Sequence, residues 1–366
     1  MGSLVMIAAG GTGGHLFPAQ ALASVLQVRG VRVILVTDER IGALAETFPA
    51  ERIVSLPSAT PSRRSPLKVI RAVIKLSRGF FAARRLIRET KPDIVIGFGG
   101  YPTVPPVLAA ALMGAPTIVH EQNGVIGRAN RFLARYVTKL ATSVPELQGA
   151  PDKARAKIAL TGNPVRAEVL EAAAIPYAPP APGGELRLLV FGGSQGARVM
   201  SDVVPQALGL LSPDDLARIR LVQQARGEDE TRVREACAGL PVEAEVAPFF
   251  ADLPARIARA HLVVSRSGAS TVSELAVIGR PSILVPLPGA LDQDQAANAQ
   301  SLARIDAALL LPQSEFTPER LAKELKARLD DPERLTKAAA AAKSAGIPDA
   351  AEKLADLVVA CAQTRP

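Results

Sequence analysis

Cysteine, histidine and aromatic residues are scarce in this chain of 366 residues. It contains two cysteines, three histidines and no tryptophan, and aromatic residues make up 4% of the sequence. Cys237 and Cys361 lie far apart and share no spacing with a histidine. We therefore predict neither a disulfide framework nor a metal site, and we expect a reducing compartment.

Long apolar runs are also absent, although hydrophobic residues make up 48% of the sequence. The first apolar run, residues 4–9, leads into glycines and lacks a basic leader, so no signal peptide is predicted. No run reaches the roughly 18 apolar residues of a membrane-spanning helix. The aliphatic content suffices for two cores, which suits two domains of roughly 150 to 200 residues each.

Basic residues are concentrated in the first half of the chain. Residues 1–175 hold 22 lysines and arginines against 11 acidic residues, whereas the remainder holds 21 against 24. The net charge of +8 therefore arises entirely in the first half. This asymmetry favours an anionic partner for one domain only, whether nucleic acid, a phospholipid surface or a diphosphate.

Two series of short apolar runs, separated by helical stretches, predict two parallel sheets that are covered on both faces. A segment rich in proline and glycine, residues 172–184, separates the two series and is typical of a linker. The expected fold class is α/β, with two doubly wound domains. The predicted strands are 4–9, 32–37, 93–97, 116–120 and 139–142 in the first series, and 186–191, 219–223, 262–265 and 282–286 in the second.

A glycine-rich turn follows the first predicted strand of each series. Such turns let backbone N–H groups approach a phosphate, and the dipole of the following helix favours the negative charge. A dinucleotide-binding fold is the main alternative, because Asp38 lies where a ribose-binding acid would be. However, position 16 is leucine, so the G-x-G-x-x-G fingerprint is incomplete. The turns read Gly10-Gly11-Thr12-Gly13-Gly14-His15 and Gly192-Gly193-Ser194-Gln195-Gly196-Ala197-Arg198.

Together with five further motifs, these turns resemble the MurG family of glycosyltransferases. The seven motifs occur in order and with matching spacing over residues 8–300, so the resemblance covers nearly both domains. The other motifs are Gly99-Gly100-Tyr101, His120-Glu121-Gln122-Asn123, Gly162-Asn163-Pro164-Val165-Arg166, Arg266-Ser267-Gly268-Ala269 and Thr271-Val272-Ser273-Glu274.

The resemblance implies the GT-B architecture, in which two Rossmann-like doubly wound domains enclose an interdomain cleft. The first domain, residues 1–165, would bind the acceptor and associate with the membrane. A linker at 166–184 would lead to a UDP-N-acetylglucosamine-binding domain at 185–345. A C-terminal helix at 346–366 would pack back on the first domain.

The implied reaction moves N-acetylglucosamine from UDP-GlcNAc to the C4 hydroxyl of MurNAc in lipid I, which is undecaprenyl-diphospho-MurNAc-pentapeptide. The anomeric carbon would be inverted, and the β-1,4-linked product would be lipid II for peptidoglycan synthesis. The resemblance implies no cofactor and no nucleic-acid partner. It places the protein at the cytoplasmic face of the bacterial inner membrane, as a peripheral protein.

The resemblance assigns the donor contacts to small residues, one cation and one carboxylate. Glu274 would accept both ribose hydroxyls, Arg166 would place a permanent cation near the pyrophosphate, and the backbone of Phe250 would meet the uracil. Thr271 and Glu274 also have the spacing of a helix-capping box, which is a structural alternative. The other predicted UDP-GlcNAc contacts are Thr12, Gly13, Gly14, Asn123, Gly193, Ser194, Gln195, Gly196, Ala269, Ser270, Val272, Ser273 and Gln295.

One position departs from the family pattern. Asp294 stands where the family usually has a glutamine beside Gln295, the residue that matches the sugar-contacting glutamine. The run Asp292-Gln293-Asp294 also mimics the D-x-D motif of metal-dependent transferases. Because that motif belongs to the other transferase fold, no metal is predicted here.

Three side chains of the first domain are candidates for the catalytic base: His15, Glu121 and Tyr101. Histidine is the side chain most readily poised near neutral pH, so His15 is the first choice, either as base or as a positioning group. The sequence leaves the assignment among the three open.

A basic stretch, residues 61–91, carries ten lysines and arginines against a single acid, Glu89, with apolar residues between them. It predicts an amphipathic helix, interrupted near Gly79, that suits an anionic phospholipid surface. Each basic residue there would contribute about 1 kcal/mol. A solvated charged face is the structural alternative, and nucleic-acid binding lacks an aromatic stacking platform. The predicted membrane contacts are Lys68, Arg71, Lys75, Phe80, Phe81, Arg84 and Arg85.

The sequence leaves two other functions open. One is an NAD-dependent Rossmann oxidoreductase, which the incomplete fingerprint disfavours. The other is a non-catalytic membrane adaptor that uses the basic stretch alone.

Overall fold

The structure is a computed structural model that describes residues 3–10, 13–39, 42, 44–59, 66–193, 196–289 and 294–364, with backbone only at 44–45 and 66–68. The chain forms two compact units. The first unit comprises Met1–Arg166 and Pro348–Pro366, and the second comprises Ala167–Ile347.

The first unit is built on a parallel sheet of seven strands in the order β3-β2-β1-β4-β5-β6-β7. The strands are β1 (Leu4–Ala8), β2 (Arg32–Thr37), β3 (Arg52–Ser55), β4 (Ile94–Gly97), β5 (Thr117–Glu121), β6 (Lys139–Thr142) and β7 (Ile158–Leu160). The helices are α1 (Gly13–Val28), α2 (Leu44–Thr47), α3 (Pro66–Thr90), α4 (Val104–Leu112), α5 (Arg128–Leu133), α6 (Asp152–Arg155) and the C-terminal α16 (Ala350–Ala362).

Alternate side chains of β1 enter two different cores. Val5 and Ile7 pack in a cluster with residues of α1 and α16, whereas Met6 and Ala8 pack in a cluster with residues of α3 and α4. Because side chains of a strand alternate between the faces of a sheet, a strand covered by helices on both faces must be apolar throughout. This explains the continuous apolar runs of the sequence.

The second unit repeats the arrangement with six parallel strands in the order β10-β9-β8-β11-β12-β13. The strands are β8 (Leu186–Phe191), β9 (Ile219–Gln224), β10 (Glu243–Ala247), β11 (Leu262–Ser265), β12 (Ser282–Leu284) and β13 (Ala308–Leu310). The helices are α7 (Ala167–Ala173), α8 (Arg198–Gly209), α9 (Pro213–Ala217), α10 (Gly227–Ala238), α11 (Leu253–Arg259), α12 (Ala269–Ile278), α13 (Asp294–Ala303), α14 (Pro318–Asp330) and α15 (Pro332–Ala345). The predicted fold class, two doubly wound parallel-sheet domains, is confirmed.

The predicted linker differs from the structure in its first part. Residues 167–173 form α7, which packs on α11 and α12 within the second unit. Buried Arg280 donates to the carbonyl oxygens of Ile175 at 3.0 Å and Ile278 at 2.9 Å, and its guanidinium faces the ring of Tyr177. These contacts hold the segment directly after α7, at Ile175 and Tyr177, against the second unit.

Helix α3 is continuous through Gly79, so the predicted interruption there is wrong. A Cβ at position 79 would run into the carbonyl oxygen of Pro57 and would lie 3.2 Å from Cγ of Pro105. The glycine therefore permits close packing of the helix and does not break it. Among the helices that the described residues form, none combines the length and hydropathy of a bilayer-spanning segment.

Candidate active site

The glycine turn after β1 lies at the point where the strand order of the first sheet reverses. Strands β1 and β4 are neighbours, and Ala8 pairs with Gly97 at their carboxyl ends. In doubly wound sheets, ligands bind in the crevice at this reversal. The first turn of α1 and the turn after β4 therefore meet where a ligand is expected.

His15 lies in the first turn of α1, and its half-buried imidazole packs against the turn after β4. A Cβ at Gly99 would lie 3.2 Å from Cε1 of His15, and a Cβ at Gly100 would lie 3.5 Å from Nε2. Both glycines have positive φ, at 87° and 75°. The Gly-Gly turn thus makes room for the ring at the edge of the sheet.

Tyr101 begins a short 3₁₀ turn directly after these glycines. With Asp38, Ser58, Lys75 and others, it lines a cavity of about 250 Å³ within the first unit. Half-exposed Tyr101 therefore borders open space, so it stays a candidate for contact with substrate.

Glu121, one of the three predicted candidates for the base, is buried and held by several hydrogen bonds. Its side chain is 2% exposed. Its carboxylate accepts hydrogen bonds from the backbone N–H of Gly127 at 2.9 Å, from Asn130 Nδ2 at 2.9 Å, and from the backbone and side-chain nitrogens of Asn123 at 3.1 Å. Burial raises the pKa of Glu121, and these hydrogen bonds oppose the shift. Since four donors already engage the carboxylate, it shapes the loop that carries Asn123.

His120 ties β5 to the loop that carries Arg166. It is fully buried, and its Nε2 lies 2.9 Å from the carbonyl oxygen of Gly162, while its Nδ1 lies 3.2 Å from Nε2 of Gln122. This arrangement suits a neutral ring that donates from Nε2 and accepts at Nδ1. Burial lowers the pKa of His120 from 6.5 to about 4.

We predict a pH-dependent contribution of His120 to stability. Because the unfolded ring takes up a proton below about 6.5 and the folded ring does not, the contribution is complete above that pH and is lost as the pH falls to about 4. The gap in free energy of unfolding between the wild type and His120→Gln should therefore narrow by about 3 kcal/mol over that range. Urea unfolding at several pH values measures this difference in free energy of unfolding. The titration of carboxyl groups affects both proteins equally, so it cancels in the difference. A gap that does not change with pH would contradict the assignment.

Arg166 lies close to the first turn of α1. Its guanidinium carbon is 4.5 Å from the centroid of the Phe17 ring, and a Cβ at Gly13 would lie 2.9 Å from that ring. The structure thus brings together the predicted residues Arg166, Gly13 and Gly14. Thr12 lies outside the described residues.

The second unit has an equivalent reversal between β8 and β11, where Phe191 pairs with Ser265. The turn after β8 therefore begins beside the turn that leads into α12. Gly193 and Gly196 have φ values of 87° and 65°, and a Cβ at Gly192 would collide with the backbone nitrogen of Ala197. The fold itself thus requires glycine at 192. Ser194 and Gln195 lie outside the described residues.

Glu274 is not part of a capping box. Helix α12 has Gly268 as its N-cap, so Thr271 lies inside the first turn and Glu274 in the second. The capping alternative is therefore wrong. Glu274 is 7% exposed, whereas the first turn of the helix, Ala269, Ser270 and Thr271, is half-buried. Val272 is buried, and Ser273 is half-buried.

The sugar-contacting candidate Gln295 lies in the first turn of α13. Its Oε1 accepts from the backbone N–H of Leu287 at 3.0 Å, and its own N–H donates to Asp294 Oδ1 at 2.8 Å. The carboxylate of Asp294 thus accepts a backbone hydrogen bond in the first turn of α13, where a negative charge is favourable and glutamine would bring none. Asp292 and Gln293, the rest of the D-x-D mimic, lie outside the described residues.

Phe250, the predicted uracil contact, is buried beneath the guanidinium of Arg256, whose carbon is 4.3 Å from the ring centroid. The preceding loop is held by Gln224, which the sequence interpretation missed. Gln224 Nε2 donates to the carbonyl oxygen of Pro248 at 3.2 Å, and its Oε1 accepts from the backbone N–H of Gly192 at 3.0 Å. Its position at the carboxyl end of β9 was the available signal. This one side chain links the turn after β8 with the turn after β10.

Comparison with known proteins places both sheets in one family. Residues 5–142 match the glycosyltransferase family 28 N-terminal domain, and residues 187–354 match the glycosyltransferase family 28 C-terminal domain. A curated protein of Methylobacterium nodulans is 61% identical over 97% of this chain and 96% of its own length, and one of Methylobacterium radiotolerans is 60% identical with the same coverage. Both are named UDP-N-acetylglucosamine--N-acetylmuramyl-(pentapeptide) pyrophosphoryl-undecaprenol N-acetylglucosamine transferase. The chain belongs to glycosyltransferase family 28.

A solved structure of this family gives the same result. The crystal structure of Acinetobacter baumannii MurG matches with a TM-score of 0.78 and 30% identity, over 98% of this chain and all of that one. The predicted resemblance to the MurG family is thereby confirmed. The comparisons support neither the NAD-dependent oxidoreductase nor the non-catalytic adaptor.

The predicted membrane contacts of this family 28 chain that the structure describes are either exposed or half-buried. Arg71, Lys75, Phe81 and Arg85 are exposed on α3. Phe80 is half-buried and packs against the cluster that includes residues of α4, so only part of its side chain is available to a surface. Arg84 is also half-buried, and the side chain of Lys68 lies outside the described residues.

Proposed function

We propose that this enzyme moves N-acetylglucosamine from UDP-GlcNAc to the C4 hydroxyl of MurNAc in lipid I, with inversion and formation of the β-1,4 link of lipid II. The names of the curated relatives support this donor and this acceptor. The observation that carries the proposal is an arrangement found in both units. In each, a glycine turn and a helix N-terminus lie at the edge of a parallel sheet, at the point where the strand order reverses. Each edge suits a diphosphate, one on a nucleotide and one on a lipid.

The second unit would hold the donor. Backbone N–H groups at the start of α8, beside the turn that contains Gly193 and Gly196, would face the diphosphate as charge develops on departing UDP. Glu274 would accept the two ribose hydroxyls, and the backbone at Phe250 would meet the uracil. Ser194, Gln195 and Gln295 would add polar contacts to the phosphates and the sugar.

The first unit would hold the acceptor. The C4 hydroxyl would attack the anomeric carbon as the bond from that carbon to UDP breaks, and His15 would take the hydroxyl proton. UDP would leave with the bonding electron pair, so a single displacement inverts the anomeric carbon. Arg166 and Asn123 of the first unit would also contact the donor diphosphate, as the resemblance to the MurG family implies.

The test is direct conversion. Purified protein incubated with UDP-GlcNAc and a lipid I analogue should release UDP and form a disaccharide lipid with a β-1,4 link. UDP-glucose should serve far less well than UDP-GlcNAc. Hydrolysis of the donor with no disaccharide lipid would overturn the acceptor assignment, and failure to bind UDP at all would overturn the function.

We further propose that α3 attaches the enzyme to the anionic cytoplasmic face of the inner membrane. The exposed residues Arg71, Ile74, Arg78, Phe81 and Arg85 recur at intervals of three and four, so they form one stripe along the helix. Ile74 is 49% exposed and Phe81 is 64% exposed. Such large apolar side chains between cations suit a surface of anionic headgroups over acyl chains.

We predict that Arg78→Gln with Arg85→Gln weakens binding to vesicles of phosphatidylglycerol and phosphatidylcholine by about 30-fold. Each cation should contribute about 1 kcal/mol near such a surface. Binding to pure phosphatidylcholine should be unchanged. The matched control is Arg334→Gln with Lys337→Gln on α15 of the second unit, which should bind like the wild type. Equal losses in both double variants would argue against a specific role for α3.

A further inference from the structure

Arg226 lies beside the turn after β8, and the proposed function gives it no role. Arg226 follows the carboxyl end of β9, the strand that pairs with β8. A Cβ at Gly196 would lie 2.9 Å from Cγ of Arg226, and the Arg226 Nη2 is 3.5 Å from the carbonyl oxygen of Gly196. The stem of the arginine therefore packs directly on this turn.

Within the described part of the chain, the charge of Arg226 is poorly balanced. Its acidic neighbour is Glu228, 3.6 Å away and 67% exposed, and exposed pairs of this kind contribute little. The adjacent Asp229 is instead engaged at 2.8 Å by Arg232. Nε of Arg226 is buried and has no acceptor among the described residues.

A second arginine adds to the positive potential. Arg266, in the turn before α12, is 8% exposed and donates to the carbonyl oxygens of Val285 at 3.1 Å and Pro286 at 3.0 Å and to Gln313 Oε1 at 2.6 Å. Burial lowers the pKa of Arg266, and the charge of Arg226 lowers it further. Two like charges near one turn raise the energy of the empty protein, and a bound anion would relieve this.

We infer that Arg226 binds the diphosphate of the donor and stabilises it as UDP departs. The inference rests on the proposed function and gives the second unit a cation of its own, in addition to Arg166 of the first. A guanidinium is always charged and presents several N–H donors to phosphate oxygens. It can therefore stabilise the negative charge that develops on the β-phosphate as the bond to the sugar breaks. Its position as the N-cap residue of α10 and the absence of a side chain at Gly196 hold it over the turn.

The test compares ligands with and without phosphates. Arg226→Gln should weaken calorimetric binding of UDP by about 10-fold or more, as expected for the loss of a charged hydrogen-bond donor. Binding of uridine should change by less than about twofold, and Arg226→Lys should restore part of the UDP affinity. The matched control is Arg220→Gln, which removes an equal charge at the opposite end of β9, where Arg220 pairs with exposed Glu185 and Glu243.

Each outcome separates the two proposals. If Arg226→Gln weakens uridine as much as UDP, Arg226 shapes the turn and does not bind phosphate. If UDP affinity is unchanged in Arg226→Gln, the inference is wrong and the proposed function stands. If the wild type itself does not bind UDP, the proposed function fails.

Discussion

Replacing His15 with alanine is expected to lower kcat for N-acetylglucosamine transfer by about 10²- to 10⁴-fold, the usual contribution of a positioned acid–base group. We expect this loss because of the position of the imidazole. It lies in the first turn of α1, against Gly99 and Gly100, at the point where the strand order of the first sheet reverses. The calorimetric Kd for UDP should change little, because no donor contact is assigned to the side chain of His15. Steady-state kinetics over a range of pH provide the measurement.

The pH profile and a second variant identify the base. In the wild type, kcat should fall at acidic pH as the imidazole takes up a proton, and this acidic limb should disappear in His15→Ala. Tyr101→Phe, which removes one hydroxyl from the neighbouring cavity, should lower kcat far less. If Tyr101→Phe causes the larger loss and His15→Ala keeps the acidic limb, the base is not His15.

Replacing Glu274 with glutamine is expected to weaken UDP binding by about 10- to 100-fold, because hydrogen bonds to a charged group contribute about 1.5 to 3 kcal/mol. Glu274 is 7% exposed and lies in the second turn of α12. At this depth a ligand hydroxyl that loses its partner is left unsatisfied, which makes the loss large.

A double-mutant cycle with the ligand distinguishes a ribose contact from a structural role. For the wild type, 2′-deoxy-UDP should bind more weakly than UDP, whereas for Glu274→Gln the two should bind almost equally. Glu235→Gln, the same change at an exposed position of α10 in the second unit, serves as the control, and it should preserve the preference for UDP. Additive losses from the variant and the deoxy ligand would contradict the ribose assignment.

The central strands were predictable from the sequence, and the outer strands were not. Strands β1, β4, β8 and β11 are covered on both faces, so their residues are buried and apolar except for exposed Arg187 in β8 and buried Ser265 in β11. The missed strands lie toward the sheet margins and are short and partly exposed: β3, β7, β10 and β13. An edge strand needs less apolar surface, so its sequence resembles that of a loop.

The position of the candidate site was predictable for a related reason. Parallel strands direct their carboxyl ends to one edge, so glycine turns after the first strand of each series indicated both edges. What could not be predicted were contacts that depend on distances. Glu121 was taken for a possible base, but four donors surround its carboxylate. Gly79 was read as a helix breaker, although the carbonyl of Pro57 requires it.

The central claim is that the turn after β8 binds the diphosphate of the nucleotide donor and that the turn after β1 binds the diphosphate of the lipid acceptor. Amide hydrogen exchange, followed by mass spectrometry, tests it most directly. Saturating UDP should slow exchange in peptides covering residues 191–198, uridine should not, and residues 13–16 should become protected when a lipid diphosphate analogue is added. Protection by UDP that spares residues 191–198, or that uridine reproduces in full, would contradict the claim.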